Sequence, residues 1–520
     1  MSPQAQTVAL PKRWPLVNTL NNRSSNFLKD ARLVNAFAEK DRATGEYQVE
    51  KRPGFGLLPE ISVPNGPGQG VYTTFYFNAG FSAPNAGYVA QTVIVAGSIA
   101  YSLFTNANGL SPPPYSFESM GAINVNTIGN RPGKIQFLSV EVSAGTPPII
   151  LFGSGATVEG GPPGALAPVA YYMTAGIPIL STLTPGTNNF PYLTVPGFVY
   201  LDGYTYVMDI GGTIWQTATQ NQVTNWSNTA YISAQSDSDL GVQLARQLIY
   251  VVAIKQWTTQ FFYDAGNATG SSLSPVPGAL FNVGCLSSDT FAELDGELFW
   301  ATQSKQGTYE IVQVVNLQLT VISTPGVERQ LDLGPGGMFY ALAYQHAGHR
   351  FYIITNTVTN VTMVYDIGEK LWHLWTDYQG NFYPVCARTV DPDGNEWHQM
   401  AATGNVYEMK ADYEYPNDSG NIVPVDIYTP NFDAGTDRGK ALNMLFVNAD
   451  QTPGSELYLR CSDDDYTNWT NFRKVDLGRR PPRTLPMCGS FVRRAYHLRH
   501  YANTPLRIRS LGLQLDLCTL

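Results

Sequence analysis

The chain has 520 residues, a formal net charge of −9 and only 14% charged residues, against the ~25% usual for soluble domains. That length allows roughly two to four domains, and the overall acidity argues against a nucleic-acid-binding protein. Five scattered cysteines without a CxxC pair exclude a zinc ribbon or disulfide framework and predict reduced thiols made in a cytosol.

The 48 Gly, 35 Pro, 30 Tyr and 24 Phe predict many short strands joined by turns, and little helix. A Tyr-rich surface with few charges suits contact with other proteins, which suggests an assembly subunit.

Residues 1–60 are read as an N-terminal arm with a strand leading into the sheets. Lys12 and Arg13 precede Trp14-Pro15 and polar residues, so no signal-peptide hydrophobic region is expected and the protein is read as soluble. The run from Arg32 to Asp41 predicts a strand or short helix with its apolar side docked, and Lys51 to Gly56 predicts a turn into the sheet region.

Residues 61–420 predict a β-propeller. The phrases Asp202-Gly203-Tyr204, Asp295-Gly296-Glu297 and Ala347-Gly348-His349 repeat a tight turn before an apolar strand, and Gly97, Gly212 and Gly404 open shorter versions. Strand candidates cluster at 71–101, 134–174, 190–217, 230–264, 284–323, 339–377 and 382–413. These give about seven four-stranded blades, or six. The densest apolar run, Leu248 to Ile254, is strand-length and far short of the ~20 residues of a membrane span, so no membrane insertion is expected. In the sixth cluster, Val361–Asp366 and Leu371–Trp375 alternate with period two, predicting one packed face. Pro- and Gly-rich passages at 62–69, 107–115, 158–168 and 272–279 predict irregular loops.

Residues 421–520 alternate strictly, most of all in Leu511 to Leu517, and predict a small antiparallel β-sandwich or barrel. They hold 13 Lys/Arg against 10 Asp/Glu, a net of +3, which leaves −12 on residues 1–420. Between 151 and 300 only Arg246 and Lys255 oppose ten carboxylates. The run Arg479, Arg480, Arg483, Arg493, Arg494, Arg499, Arg507 and Arg509 predicts a subunit or domain interface, since guanidinium forks suit carboxylates. A DNA-binding face is the weaker reading, because Asp463, Asp464, Asp465 and Asp476 lie among these arginines.

Motifs that carry chemistry are missing. Gly129 to Lys134 is one residue short of a phosphate loop and lacks the following hydroxyl; there is no HExxH and no GxSxG. Asp391 to Glu396 resembles the start of a calcium loop, but glycine falls at position four and Ala402 at position twelve, which favours a β-turn. His346 and His349, three apart, would face opposite sides if they lay on one strand, and their hairpin context favours a turn histidine making an ordinary hydrogen bond. No catalytic, cofactor or metal residues are therefore assigned. A propeller-fold glycosidase or carbohydrate-binding protein is the alternative, with Asp209, Asp264 and Glu293 as its available carboxylates.

Several phrases resemble the packaged-DNA stabilisation proteins of short-tailed bacteriophages, the tail-hub or tail-nozzle subunits. They are Arg32-Leu33-Val34-Asn35 with Glu39, Arg52-Pro53-Gly54-Phe55, Leu298-Phe299-Trp300 and Ile322 to Glu328. Gly348-His349-Arg350-Phe351-Tyr352, Val364-Tyr365-Asp366 with Leu371-Trp372-His373, and Ser462-Asp463-Asp464 with Trp469 continue the series in collinear order. The resemblance implies a structural, non-enzymatic virion protein of the tail, made in the host cytoplasm. It implies a homohexameric ring beneath the portal–adaptor assembly, bearing tailspikes or fibres and a tail needle or plug. The ring would retain packaged DNA and conduct it at ejection without sequence-specific binding.

Overall fold

The computed structural model describes residues 13–21, 29–57, 66–78, 87–106, 117–123, 127–128, 131–143, 146–154, 170–183, 189–334, 339–390, 394–409 and 417–518. Strands make up 55% of the chain and helix 3%, so the architecture is all-β. Of the Pro- and Gly-rich passages, 107–115 and 158–168 lie outside the described residues, as do 62–65, 129–130 and 391–393.

Among the described residues, six four-stranded antiparallel sheets stand by themselves, and a seventh four-stranded meander is fused into a nine-stranded sheet. In chain order they occupy 68–122, 136–183, 199–233, 241–281, 292–321, 339–375 and 385–409, and are called blades 1 to 7. Their first strands neighbour one another in turn around a circle, and the first strand of blade 7, Val385–Val390, lies against that of blade 1, Gly68–Asn78. The fourth strand of blade 7 comes from the other end of the region: Gly56–Leu57 pairs with Val406–Met409. Both ends of the propeller thus share one blade, which holds the ring shut.

The repeated hairpin phrases are the turns between first and second strands of blades 3, 5 and 6. Asp202, Asp295 and Ala347 have φ near +50° and each is followed by a positive-φ glycine, the backbone that matches the twist of a two-residue hairpin. Because His346 and His349 flank such a turn, they are direct cross-strand partners. Residues three apart share a face when a turn separates them, which corrects the single-strand reading. His349 Nδ1 lies 2.6 Å from the buried Asp366 carboxylate.

Two further expectations are corrected by packing. Val361–Asp366 is buried on both faces along nearly its whole length, because a blade is enclosed by two neighbours. Leu273–Phe281, which contains the Pro-rich passage 272–279, is a strand: it is the outer edge of blade 4, where proline removes no ladder hydrogen bond, and a bulge absorbs the mismatch.

Close approach between blades fixes glycine at position 197. It has φ +104°, and a Cβ there would stand 1.9 Å from the Leu244 carbonyl oxygen on the first strand of blade 4. Gly197→Ala is therefore expected to cost about 3 kcal/mol from backbone strain and overpacking together, measurable as a lower urea midpoint at unchanged slope.

Residues 421–520 form a sandwich, and the N-terminal arm is built into it. One sheet runs Ala36–Lys40, Tyr47–Lys51, Arg507–Leu517, Lys440–Ala449 and Arg483–Pro486. The other runs Arg32–Val34, Val425–Tyr428, Ala495–His500, Glu456–Ser462 and Arg473–Asp476. Between them lies one apolar core that includes Trp14, Leu33, Leu445, Leu459 and Leu511. Two arm strands adjoin where the expected single element would be; Asn35, with φ 55°, breaks the run so that Arg32–Val34 joins one sheet and Ala36–Lys40 the other. Arg32–Val34 also pairs in parallel with Leu371–Trp375, the outer strand of blade 6. One continuous sheet therefore ties propeller to sandwich.

Candidate functional site

The propeller axis is the first place to seek chemistry. Residues from blades 1, 2, 5, 6 and 7, among them Tyr72, Gln136, Glu293 and Arg388, line a cavity of about 290 Å³. The space is spanned by the chain itself: Lys134 Nζ donates to the Ala341 carbonyl of blade 6 at 2.8 Å. Gln136 of blade 2 and Gln243 of blade 4 exchange side-chain hydrogen bonds at 2.9 and 3.0 Å. Glu293 is exposed to this lumen yet ringed by protein. Crowding raises its carboxyl to about 7, while Arg246 pulls the other way. An axis bridged by these side chains leaves no room for a polynucleotide duplex, whose major groove alone is about 12 Å wide.

The carboxylates considered for glycoside chemistry are dispersed. Asp209 follows the second strand of blade 3 and accepts from Thr213 N–H at 2.9 Å and Trp215 Nε1 at 2.9 Å. Asp264 ends the third strand of blade 4, at the opposite rim, and accepts from Gly266 N–H at 2.8 Å. About five residues of strand, roughly 17 Å, separate those two rims, beyond the ~5–9.5 Å a glycosidase pair needs. Glu293 stands on a third blade.

Among the described residues, the ion-pair partners of the C-terminal arginines lie within the sandwich. Arg494 makes a fork to Asp463 at 2.6 and 2.8 Å, and Arg493 reaches both oxygens of Asp465 at 2.6 Å. The Asp463 to Asp465 run is thus the counterpart of the arginines, although it lies on a turn as its composition suggests. Arg499 pairs with Asp426 at 2.7 Å, and Asp450 is shared by Arg507 and Arg509 at 2.7 and 2.9 Å. Arg479 is a loose surface partner of Asp476 at 3.5 Å. Arg483 is buried and donates to the carbonyls of Ala449, Leu477 and Arg479. Exposed Arg480 makes no ion pair among the described residues.

Sequence reading missed a second surface on this domain. Outward positions of the second sheet carry Arg32 3.6 Å over the Tyr428 ring, and Tyr428 stacked on His497 at 4.0 Å. Beside them, Arg460 lies 5.1 Å from the Trp469 ring and 4.6 Å from that of Phe472. The available signal was the i, i+2 pair Tyr458 and Arg460, which a strand places on one face.

The family-like phrases converge on the joint between propeller and sandwich. Arg52, fully buried, grips both oxygens of Asp418 at 2.6 and 3.0 Å and donates to the Thr376 carbonyl and to Asn35 Oδ1. The Asn35 amide in turn donates to Thr376 Oγ1 and the Pro424 carbonyl. Arg350 pairs with Glu297 across blades 5 and 6 at 3.0 Å, and Phe37 packs on His349 at 4.8 Å. Thr324, just before the helix Pro325–Asp332, donates to the Leu20 carbonyl, and Trp372 Nε1 donates to that of Ile322. These contacts tie the arm, blades 5 and 6 and the sandwich to one another.

Residues 172–383 match the family model Phage_stabilise, described as Bacteriophage P22 Gp10, beta-propeller. The matched segment resembles the phage-stabilisation propeller. It takes in blades 3 to 6 whole, begins inside blade 2, and bears out the resemblance drawn from Leu298 to His373. The match supports a structural role in a phage particle. No curated protein matches the chain. Similar solved structures include an exo-β-1,3-galactanase from Phanerochaete chrysosporium with galactose, at 9% identity and TM-score 0.29, covering 75% of this chain and 100% of that one. PorZ of the Porphyromonas gingivalis type-IX secretion system is 8% identical at TM-score 0.36, covering 79% of this chain and 46% of its own. YCF48 from Cyanidioschyzon merolae is 13% identical at TM-score 0.36, covering 68% and 98%. At these TM-scores none carries an argument about fold or function.

Proposed function

We propose that this protein is the nozzle or hub subunit of a short-tailed phage tail, assembled as a ring of six that retains packaged DNA and conducts it during ejection. The match of residues 172–383 to the phage-stabilisation propeller carries the reading. A blade ring bridged by Lys134 and Ala341 has no room for a duplex on its own axis, so the DNA path runs between copies of the chain. The acidic band between 151 and 300 favours passage over capture, because a wall that neutralised phosphates would bind through counterion release. In this reading the ring docks on the portal–adaptor protein, carries tailspikes or fibres, and is closed by a needle or plug. Its five free cysteines accord with synthesis in a reducing host cytoplasm.

Imaging and mass measurement of the purified protein, alone and with the cognate adaptor, test this. Six-fold rings with a pore are expected. A chain that stays monomeric and ignores the adaptor would overturn the reading.

A further inference from the structure

Four consecutive blades turn from first to second strand at one rim of the propeller. In blades 3, 5 and 6 the turn is Asp202-Gly203, Asp295-Gly296 and Ala347-Gly348. In blade 4 it is Leu248-Ile249, so the run that reads as one apolar strand begins with an exposed turn. Leu248 is 51% exposed and Ile249 62%, and Tyr263 beside them is 38% exposed. Leu248 holds φ +53°, a left-handed conformation that disfavours a bulky apolar residue and suits Asn or Gly. The tip is rigid: Arg246 donates to the Leu248 carbonyl at 2.7 Å and to that of Tyr200 at 2.8 Å. Leu248 leans on the Gly296 turn of blade 5, while Ile249 stays in solvent; a strained, half-exposed apolar tip is disfavoured both by backbone conformation and by hydration, a combination typical of contact sites. Asp202, Asp264 and Asp295 flank it along the same rim.

The sandwich carries a surface of opposite character. Arg460 lies between the rings of Trp469 and Phe472 and donates through Nε to His497 Nδ1 at 2.9 Å. It makes no ion pair among the described residues. Arg499, paired with Asp426, and Lys474, paired with Glu456, flank it, so the excess positive charge of this surface sits on Arg460 itself; Phe472 is 39% exposed. Aromatic rings and arginine are the composition of an interface centre. The cationic bed complements the acidic rim, as net +3 on residues 421–520 complements the carboxylate-rich band at 151–300.

We infer that the Leu248-Ile249 tip of one copy seats on the Arg460–Trp469–Phe472 surface of the next. Two different patches on one chain make a head-to-tail contact, which closes into a ring when the rotation per copy allows it. The inference rests on the proposed ring and specifies which faces build it.

Sedimentation velocity on full-length variants tests it. Ile249→Lys places a cation against the cationic bed, and Arg460→Glu removes the bed's positive centre. Each is expected to weaken ring association at least about tenfold; the subunit's melting temperature stays unchanged in Ile249→Lys, whereas Arg460→Glu also removes the donor to buried His497 Nδ1 and lowers it. The double variant, with the two charges now complementary, is expected to recover part of the loss. Leu248→Asn is expected to raise the subunit's melting temperature and still weaken the ring, a split that a purely structural turn would not give. Wild-type association in Ile249→Lys or in Arg460→Glu would overturn these faces and leave the ring reading standing. A wild-type chain that never associates, even with the adaptor, would overturn both.

Discussion

Arg52→Met is expected to cost the folded chain about 3–5 kcal/mol, because it leaves the Asp418 carboxylate buried without its cation. Asp418 is 4% exposed and Arg52 1%, so water cannot replace either partner. The arginine also donates to Asn35, Thr376 and Pro53, which joins the arm, blade 6 and the segment entering the sandwich. Urea titration with tryptophan fluorescence reads the loss, since Trp375 is buried close to Thr376. The companion variant Arg52→Met/Asp418→Leu removes both charges and is expected to regain part of that cost, though not all of it. Its remaining deficit comes from the Thr376 and Pro53 carbonyls that lose the Arg52 donor, since Asn35 Oδ1 keeps the Thr376 N–H. A double variant as unstable as the single one would show that the hydrogen bonds, and not the ion pair, hold this joint.

Acidification from pH 6.5 to about 4 is expected to destabilise the fold before most carboxylates titrate. Burial lowers His373 to about 4 and His398 to about 3. It also lowers His346 to about 4 and His500 to about 3. Each has a folded value below the ~6.5 of an unfolded chain. Between those values the unfolded state binds the extra proton, so stability rises with pH and is lost as pH falls through 6.5. The upper bound is about 1.4 kcal/mol per pH unit for each histidine. His349 works in the opposite sense. Burial opposes its charge, but the hydrogen bond and charge of Asp366 outweigh burial and raise it, so its contribution is present at low pH and fades as pH rises through the raised value. Asp464, held to about 2 by the Asn468 amides and Ser462, contributes its full stabilisation above about pH 4 and loses it only as pH falls below that, outside the window. Thermal melts from pH 4 to 8 measure the slope. His398→Phe, which removes two ring nitrogens that have no hydrogen-bond partner, is expected to flatten it. An unchanged slope in that variant would place the acid sensitivity elsewhere.

Much of this molecule is legible from local patterning. Asp202-Gly203, Asp295-Gly296 and Ala347-Gly348 identify hairpins because a two-residue turn needs positive φ wherever it occurs, whatever surrounds it. Blade spacing follows from those turns, and the strict alternation from Leu511 to Leu517 marks a sheet with one buried face. The collinear phrases placed the chain beside the phage-stabilisation family before any contact was known.

What pairs with what was decided only in three dimensions. Gly56–Leu57 closes blade 7 across some 350 residues of intervening chain, a pairing that two residues of strand cannot announce. The arm's membership of the sandwich depends on Asn35 turning left-handed, and Asn35 does so because Arg52, Thr376 and Pro424 satisfy its side chain from distant positions. Period two also misleads inside a blade, since packing on both sides buries residues that alternation would leave wet. Asp463 and Asp465 lie on one turn, and the cations that meet them, Arg494 and Arg493, come from a distant part of the chain. Local sequence sets backbone conformation because sterics act over one or two residues; partners chosen across hundreds of residues depend on how the sheets stack, which no short window contains.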